Sequence, residues 1–298
     1  MSIRVNPNIL PDLLNSIQQA QQAPQNAIQE MATGRSVNNL SDNPSAAAEL
    51  VGNNALLSQD DQYLSNLADI QGKFQVADST LNSATQLMTK AISLGTEGAN
   101  GTLSTANRQA IAAQVQALQQ QMLSLANASY RGTYVFAGTD VTTQPFVQDS
   151  TVSSGVNYHG NSNVTTVQIS QGQYMKTNAP GDQIFDNQAG SVFGALNNLA
   201  NALTSGTEIG AATTAVSTAL SQLNMQRVFY GTALNQVQNA QDFLNQDKVN
   251  LSTQQNQLVG ANLAQVIAQE SQDQVNLQAV LSVAGQILNL PNLLQYLK

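Results

Sequence analysis

Residues Gly34–Leu50 read GRSVNNLSDNPSAAAEL. Gly34 suits the left-handed position just past a helix end. Asn43 is a strong N-cap, and Pro44 fits a first helical turn, where its missing N–H costs nothing. The stretch therefore reads as the end of one helix, a polar linker and the start of another. Two helices separated in this way can belong to different structural layers.

The helix after the linker is long. From Asn43 onward, Leu50, Leu57, Leu64, Leu67, Phe74, Ala77, Leu81, Ala84, Met88 and Ala91 follow spacings of three, four and seven residues. That is the heptad seam of coiled-coil and bundle packing. Such a helix would be on the order of 75 Å long at about 1.5 Å per residue. GTEGANG (Gly95–Gly101) ends it as a flexible turn. A second helix carries Ile111, Val115, Leu118, Met122 and Leu125. The short connection predicts an antiparallel hairpin.

The C-terminal half repeats the design with Val216, Leu220, Leu223, Tyr230, Leu234, Val237, Leu244, Leu251 and Leu258. Arg227, Gln241, Lys248 and Gln255 make this seam partly polar. Its phase slips beside Gly260, which marks a boundary. A new seam follows at Leu263, Val266, Leu277, Val280, Ala284 and Ile287, with Glu270 and Asp273 at places where apolar residues would be expected. The first helix carries Leu13, Leu14, Ile17, Ala20, Ile28 and Met31 on one side, and Pro24 is expected to interrupt it. Both terminal helices are weak as isolated objects. They are expected to order by packing on each other or on neighbouring subunits.

Between the halves lie TYVFAGTD (Thr133–Asp140), PFVQD (Pro145–Asp149), GVNYHG (Gly155–Gly160), NVTTVQIS (Asn163–Ser170) and GQYMKTNAPGDQIF (Gly172–Phe185). These β-branched and aromatic runs with turn residues between them predict a small inserted β domain. A short helix follows at Val192–Leu203. The fold class is mainly α with an inserted small β domain, its long heptad-patterned helices forming a rod. The expected divisions are 1–42, 43–130, 131–190, 191–258 and 259–298.

Composition narrows the function. Of 298 residues only 9% are charged, against roughly 25% in ordinary soluble domains. Polar faces without strong charge suit copies packed side by side, because like-charge repulsion stays small. The net charge of −8 carries no basic nucleic-acid footprint. No segment has the ~18 consecutive apolar residues of a membrane span. The N-terminus lacks a signal-peptide pattern, and there is no Cys, so no thiol or disulfide chemistry is available. His159 is the sole histidine and has no neighbouring ligand set; a surface role is expected. Glu270 and Asp273 lack partners for a metal. GTEGANG is not a phosphate loop, and no Ser-His-Asp arrangement occurs. An enzyme is not expected, and no cofactor is implied.

MATGRSVNNLSDNPSAAAEL (Met31–Leu50) resembles the linker after the first helix of bacterial flagellins and their relatives. Gly34-Arg35 and Ser41-Asp42-Asn43-Pro44 match that pattern; Asn43 replaces the usual second Asp but keeps its capping ability. Within the superfamily the chain resembles the hook–filament junction branch, the third hook-associated proteins. The resembling segments are YVFAGT (Tyr134–Thr139), the V-x-Y-x-G element at Val156–Gly160, the run Gly172–Phe185 and the ending LPNLLQYLK (Leu290–Lys298). The resemblance implies an exported, extracellular structural protein of the bacterial flagellum. It would pass unfolded through the flagellar type III apparatus with an export chaperone. It would join the first hook-associated protein to flagellin as a ring of its own copies.

In that reading Leu13, Leu14, Ile17, Ala20, Ile28, Met31, Leu263, Val266, Leu277, Val280, Ala284, Ile287, Leu293 and Leu294 are the partner-interface residues. Gly34, Arg35, Asp42, Asn43 and Pro44 form the linker motif. The helical ends would pair as a coiled coil in an inner layer once the subunit is assembled. A short filament flagellin is the alternative within the same structural class. A helical adhesin or ligand-binding module, its β insert recognising a ligand, is the alternative outside it.

Overall fold

A computed structural model of the chain describes residues 9–187 and 190–288. Helix α1 (Ile9–Thr33) ends where Gly34 turns to φ +69° and its N–H donates to the Glu30 carbonyl at 2.8 Å. Helix α2 (Pro44–Gly98) begins at the proline, with Asn43 Oδ1 accepting from the Ala46 N–H at 3.1 Å. The opening stretch thus ends one helix and caps the next.

Pro24 does not interrupt α1, contrary to expectation. The helix runs through it, and Pro24 is buried. A mid-helix proline costs about 3 kcal/mol in an isolated helix, and here its ring gains burial in return. Gly95 and Gly98 also differ from expectation: both lie inside the last turns of α2, and the connection to α3 (Thr105–Ala126) is shorter than foreseen. Ser104 caps α3 by accepting from the Asn107 N–H.

The middle region is not one sheet. Among the described residues it holds four separate two-stranded antiparallel pairs: β1 (Ser129–Tyr130) with β2 (Thr133–Tyr134), β3 (Phe146–Gln148) with β4 (Val156–Tyr158), β5 (Thr166–Ser170) with β6 (Gln173–Lys176), and β7 (Asp186–Asn187) with β8 (Gly190–Ser191). The short helix α4 (Gly181–Phe185) lies before β7. Two-stranded pairs are marginal alone, so these borrow a core from the helices. That core continues into α5 (Val192–Ser205), capped by Ser191 Oγ, and α6 (Ile209–Val259). After Gly260, α7 spans Leu263–Leu288.

The chain forms two compact units. One comprises Gln59–Gln246, and the other joins the residues up to Ser58 with those from Asp247 onward. Within the first, Leu67, Phe74, Leu81, Ala84 and Met88 of α2 and Val216, Leu223 and Val237 of α6 are all at 0% exposure. The Phe74 ring meets Tyr230 edge-on with centroids 5.5 Å apart. The seam of α6 is smaller than its leucines suggest. Ala219 and Ala233 are buried while Leu220 and Leu234 are only half-buried. Its polar positions pair across the seam: Arg227 Nε donates to Asp78 Oδ1 at 2.9 Å, and Gln241 Nε2 to Gln71 Oε1 at 3.3 Å. Gly72 leaves room that a Cβ would take from the Tyr130 hydroxyl.

Deep burial makes Phe74 costly to truncate. Phe74→Ala should destabilise this unit by about 3–5 kcal/mol, read as a lower denaturation midpoint in guanidinium.

Candidate assembly interface

The unit formed by the two chain ends is organised around a backbone clamp. The Ser36 N–H donates to the Val259 carbonyl at 2.8 Å, and the Ala261 N–H donates to the Gly34 carbonyl at 2.9 Å. Arg35 and Gly260 form an isolated antiparallel bridge between them. Val37, Ala46 and Val259 bury a small cluster beside it, flanked by Leu50 and Leu258. The glycine at the phase slip therefore marks where the two ends of the chain meet.

Asp42 shapes the linker. Its Oδ2 accepts from the Asn39 N–H at 2.7 Å and the Asn38 N–H at 3.0 Å. These bonds, Asn39 first, hold its carboxyl below the ordinary value of 3.8. A depressed pKa means stability present above 3.8 and lost as pH falls through the lower folded value.

From the clamp, α1 and α7 run against each other. On α7, Val266, Asp273 and Ala284 are buried and Glu270, Leu277 and Val280 half-buried. These follow alternating steps of four and three, one face of a helix. On α1, Pro24 and Ala27 are buried and Leu13, Ile17, Ala20 and Met31 half-buried, again one face. Leu14 and Ile28 do not join it. They are 61% and 52% exposed and lie two heptads apart, with Gln21 between, on another face. Leu263 (49%) is likewise exposed, as are Ile267 (54%) and Leu281 (46%), which the sequence pattern passed over. Ile287 lies near the end of α7. Leu293 and Leu294 lie outside the described residues.

Among the described residues, those buried between α1 and α7 are mostly small. An open groove of ≈ 470 Å³ remains there, lined by Ala27, Glu30, Ser36, Val266, Gln269 and Asp273 among others.

In the other unit, the three motif segments converge. Phe136, Phe146, Tyr158, Phe185 and Phe193 form one aromatic cluster with ring centroids 4.9–6.2 Å apart. Side-chain amides act there as substitute backbone. Asn127 donates to the Phe146 carbonyl at 2.8 Å and accepts from its N–H at 2.9 Å. Asn178, 2% exposed, accepts from the Thr165 N–H and donates to the Asn163 carbonyl. The Tyr158 hydroxyl donates to the carbonyls of Phe136 and Asn161. Burial, helped by the nearby Asp182 carboxylate, pushes this hydroxyl up to about 12, so it stays a donor at physiological pH. His159 is exposed; its backbone N–H donates to the Pro145 carbonyl, and its side chain interacts electrostatically with Asp149. Among the described residues no group of His, Cys, Asp or Glu could hold a metal, and no helix is long and apolar enough to cross a membrane.

A sequence profile for the bacterial flagellin N-terminal helical region matches residues 7–141. Flagellar hook-associated protein 3 of Salmonella typhimurium is 31% identical over 159 residues, 53% of this chain and 49% of the relative. The protein of the same name from Escherichia coli gives the same values. The chain spans about half the length of these curated relatives. Among solved structures, the flagellar junction protein FlgL of Legionella pneumophila has the same fold. Its TM-score is 0.61 at 15% identity over 72% of this chain and 100% of that one. FlgL of Xanthomonas campestris superposes with a TM-score of 0.58 at 18% identity, over 67% and 97%.

Two outcomes follow from the local geometry. In an NMR titration the Asp42 carboxyl should titrate below 3.8, and Asp42→Ala should release the Asn38 and Asn39 amides to faster exchange. Tyr158→Phe removes one buried donor and leaves the Asn161 carbonyl short, while the Phe136 carbonyl keeps the Gly181 N–H, costing about 1 kcal/mol in a denaturation measurement.

Proposed function

We propose that this chain is a member of the flagellin superfamily, a reading supported by the match of residues 7–141 to the flagellin N-terminal helical region and by its likeness to hook-associated protein 3, and that it is a structural subunit at the junction between the flagellar hook and the filament. Its neighbours there are the first hook-associated protein on one side and flagellin on the other, with its own copies alongside. It is exported unfolded through the type III apparatus with a chaperone and works outside the cell. Its task is mechanical: to couple two tubular assemblies of different stiffness. It catalyses no reaction and needs no cofactor.

The observation that carries this reading is the apolar surface left on both terminal helices after they have paired. Leu14 and Ile28 on α1, and Leu263, Ile267 and Leu281 on α7, stay exposed within one chain. Uncovered apolar faces of this kind mark interaction surfaces. A stack of copies around a common axis covers them, and burying each leucine or isoleucine contributes about 1.5–3 kcal/mol. The low charge of the chain keeps repulsion between neighbours small. Leu277 serves differently, within the α1–α7 seam, and supports the surface that neighbours meet. The linker holds the paired ends in register through the Gly34–Ser36 clamp, so the layer they form has a defined depth.

Deleting the gene should release unpolymerised flagellin into the medium while hooks persist. Intact attached filaments in the deletion strain would contradict the junction role. Ile28→Asp or Ile267→Asp should leave the helical signal of the monomer unchanged and abolish filament attachment. Normal swimming by either variant would remove these residues from any interface.

A further inference from the structure

We infer that Arg35 of one copy seats in the α1–α7 groove of a neighbouring copy, against Asp273. The inference rests on the reading above, that copies of this chain stack on one another.

Arg35 stands apart from the other described arginines. Arg108 Nη1 donates to the Leu103 carbonyl at 2.8 Å, Arg131 Nη1 pairs with Asp69 at 2.7 Å, and Arg227 Nε pairs with Asp78 at 2.9 Å. The Arg35 side chain is exposed and has no partner among the described residues. Its backbone is nevertheless fixed. The Arg35–Gly260 bridge, the Ser36 and Ala261 hydrogen bonds on either side, and the Asn38 Nδ2 bond to the Arg35 carbonyl at 2.9 Å hold it. A guanidinium carried outward on a clamped backbone loses little freedom when it binds, and its fork matches a carboxylate.

The groove holds the complementary charge. Asp273 is 9% exposed, and its Oδ1 accepts from Gln269 Nε2 at 2.9 Å, a neutral donor. No cation among the described residues pairs with it. A carboxylate this buried without a cation is costly. Glu30 lines the same groove. In this unit the described cations are Arg35 and Lys248, and Lys248 is engaged in an interaction of its own. Arg35 cannot serve its own Asp273. Ser36 and Asn262 line one end of the groove, and Asp273 lies about 16 Å farther along α7 at ~1.5 Å per residue.

One chain thus carries a cation and a buried anion, each without its counterpart and out of reach of the other. A second copy supplies both. Such a head-to-tail contact is of the kind that closes into rings or continues as tubes. The wall of the groove, Ala27 and Val266, gives the aliphatic stem of the arginine an apolar surface to lie on.

The test uses a strain lacking the chain, complemented by the full-length gene carrying Arg35→Glu, Asp273→Arg or both. Flagellin shed into the medium is measured beside the melting curve of each purified variant. Each single change should raise shedding about tenfold or more, and the double change should return it close to the wild-type level. Cells making both single variants together should shed less than cells making either alone, which a pair inside one chain could not achieve. The inference is overturned if Arg35→Glu, an exposed change that leaves the fold intact, sheds no more than wild type. It also falls if the double variant is no better than the singles, or if co-expression brings no gain. If the wild-type gene itself fails to retain flagellin, the junction role falls instead.

Discussion

The thinness of the contact between α1 and α7 governs everything else in this molecule. Among the described residues it buries Pro24, Ala27, Val266, Asp273 and Ala284: mostly small, one of them charged. The unit around Phe74 is built from the same helical pattern but fills its seam with Leu67, Leu81, Met88, Leu223 and Tyr230. Packing stabilises helices more than propensity does. The central helices can therefore stand on their own contacts, whereas the terminal pair holds large apolar residues in reserve on its outer faces. In the proposed assembly, that difference in side-chain size separates what one chain completes alone from what it leaves for its neighbours.

The unusual composition has two physical roles. On the surface, Gln, Asn, Ser and Thr replace charges, which in the proposed assembly keeps repulsion between copies small. In the interior of the hairpin region, Asn127, Asn161 and Asn178 supply the hydrogen bonds that short strands cannot give one another. Buried backbone groups must be paired. With four isolated hairpins among the described residues in place of a sheet, side-chain amides complete the pairing and the aromatic cluster supplies the core.

Much of the architecture was legible. Gly34, Asn43 and Pro44 each act locally, through φ, a capping oxygen and a missing N–H, so their meaning survives without tertiary context. The heptads of α2 and α6 were legible because a seam repeated over many turns averages out local exceptions. Pro24 misled because propensity describes an isolated helix, and the buried ring sits on a partner that the local pattern cannot see. Leu14 and Ile28 look like part of the α1 seam in a linear reading, yet they fall on another face once α7 fixes the rotation of the helix. The clamp between Ser36 and Val259 left no trace beyond the phase slip at Gly260, since a backbone hydrogen bond leaves no side-chain signature. The hairpins were visible as β segments, but their failure to join one sheet depends on Asn and Phe contacts distant in sequence.

The central claim is that the terminal helices reach full order only when neighbouring copies cover them. Native-state hydrogen exchange on the isolated chain and on the chain incorporated into flagella tests it most directly. In the isolated chain, amides of α1 and α7 should exchange far faster than those around Phe74 and Val237, and should become protected after incorporation. Equal protection of the terminal helices and the Phe74 core in the isolated chain would contradict the account.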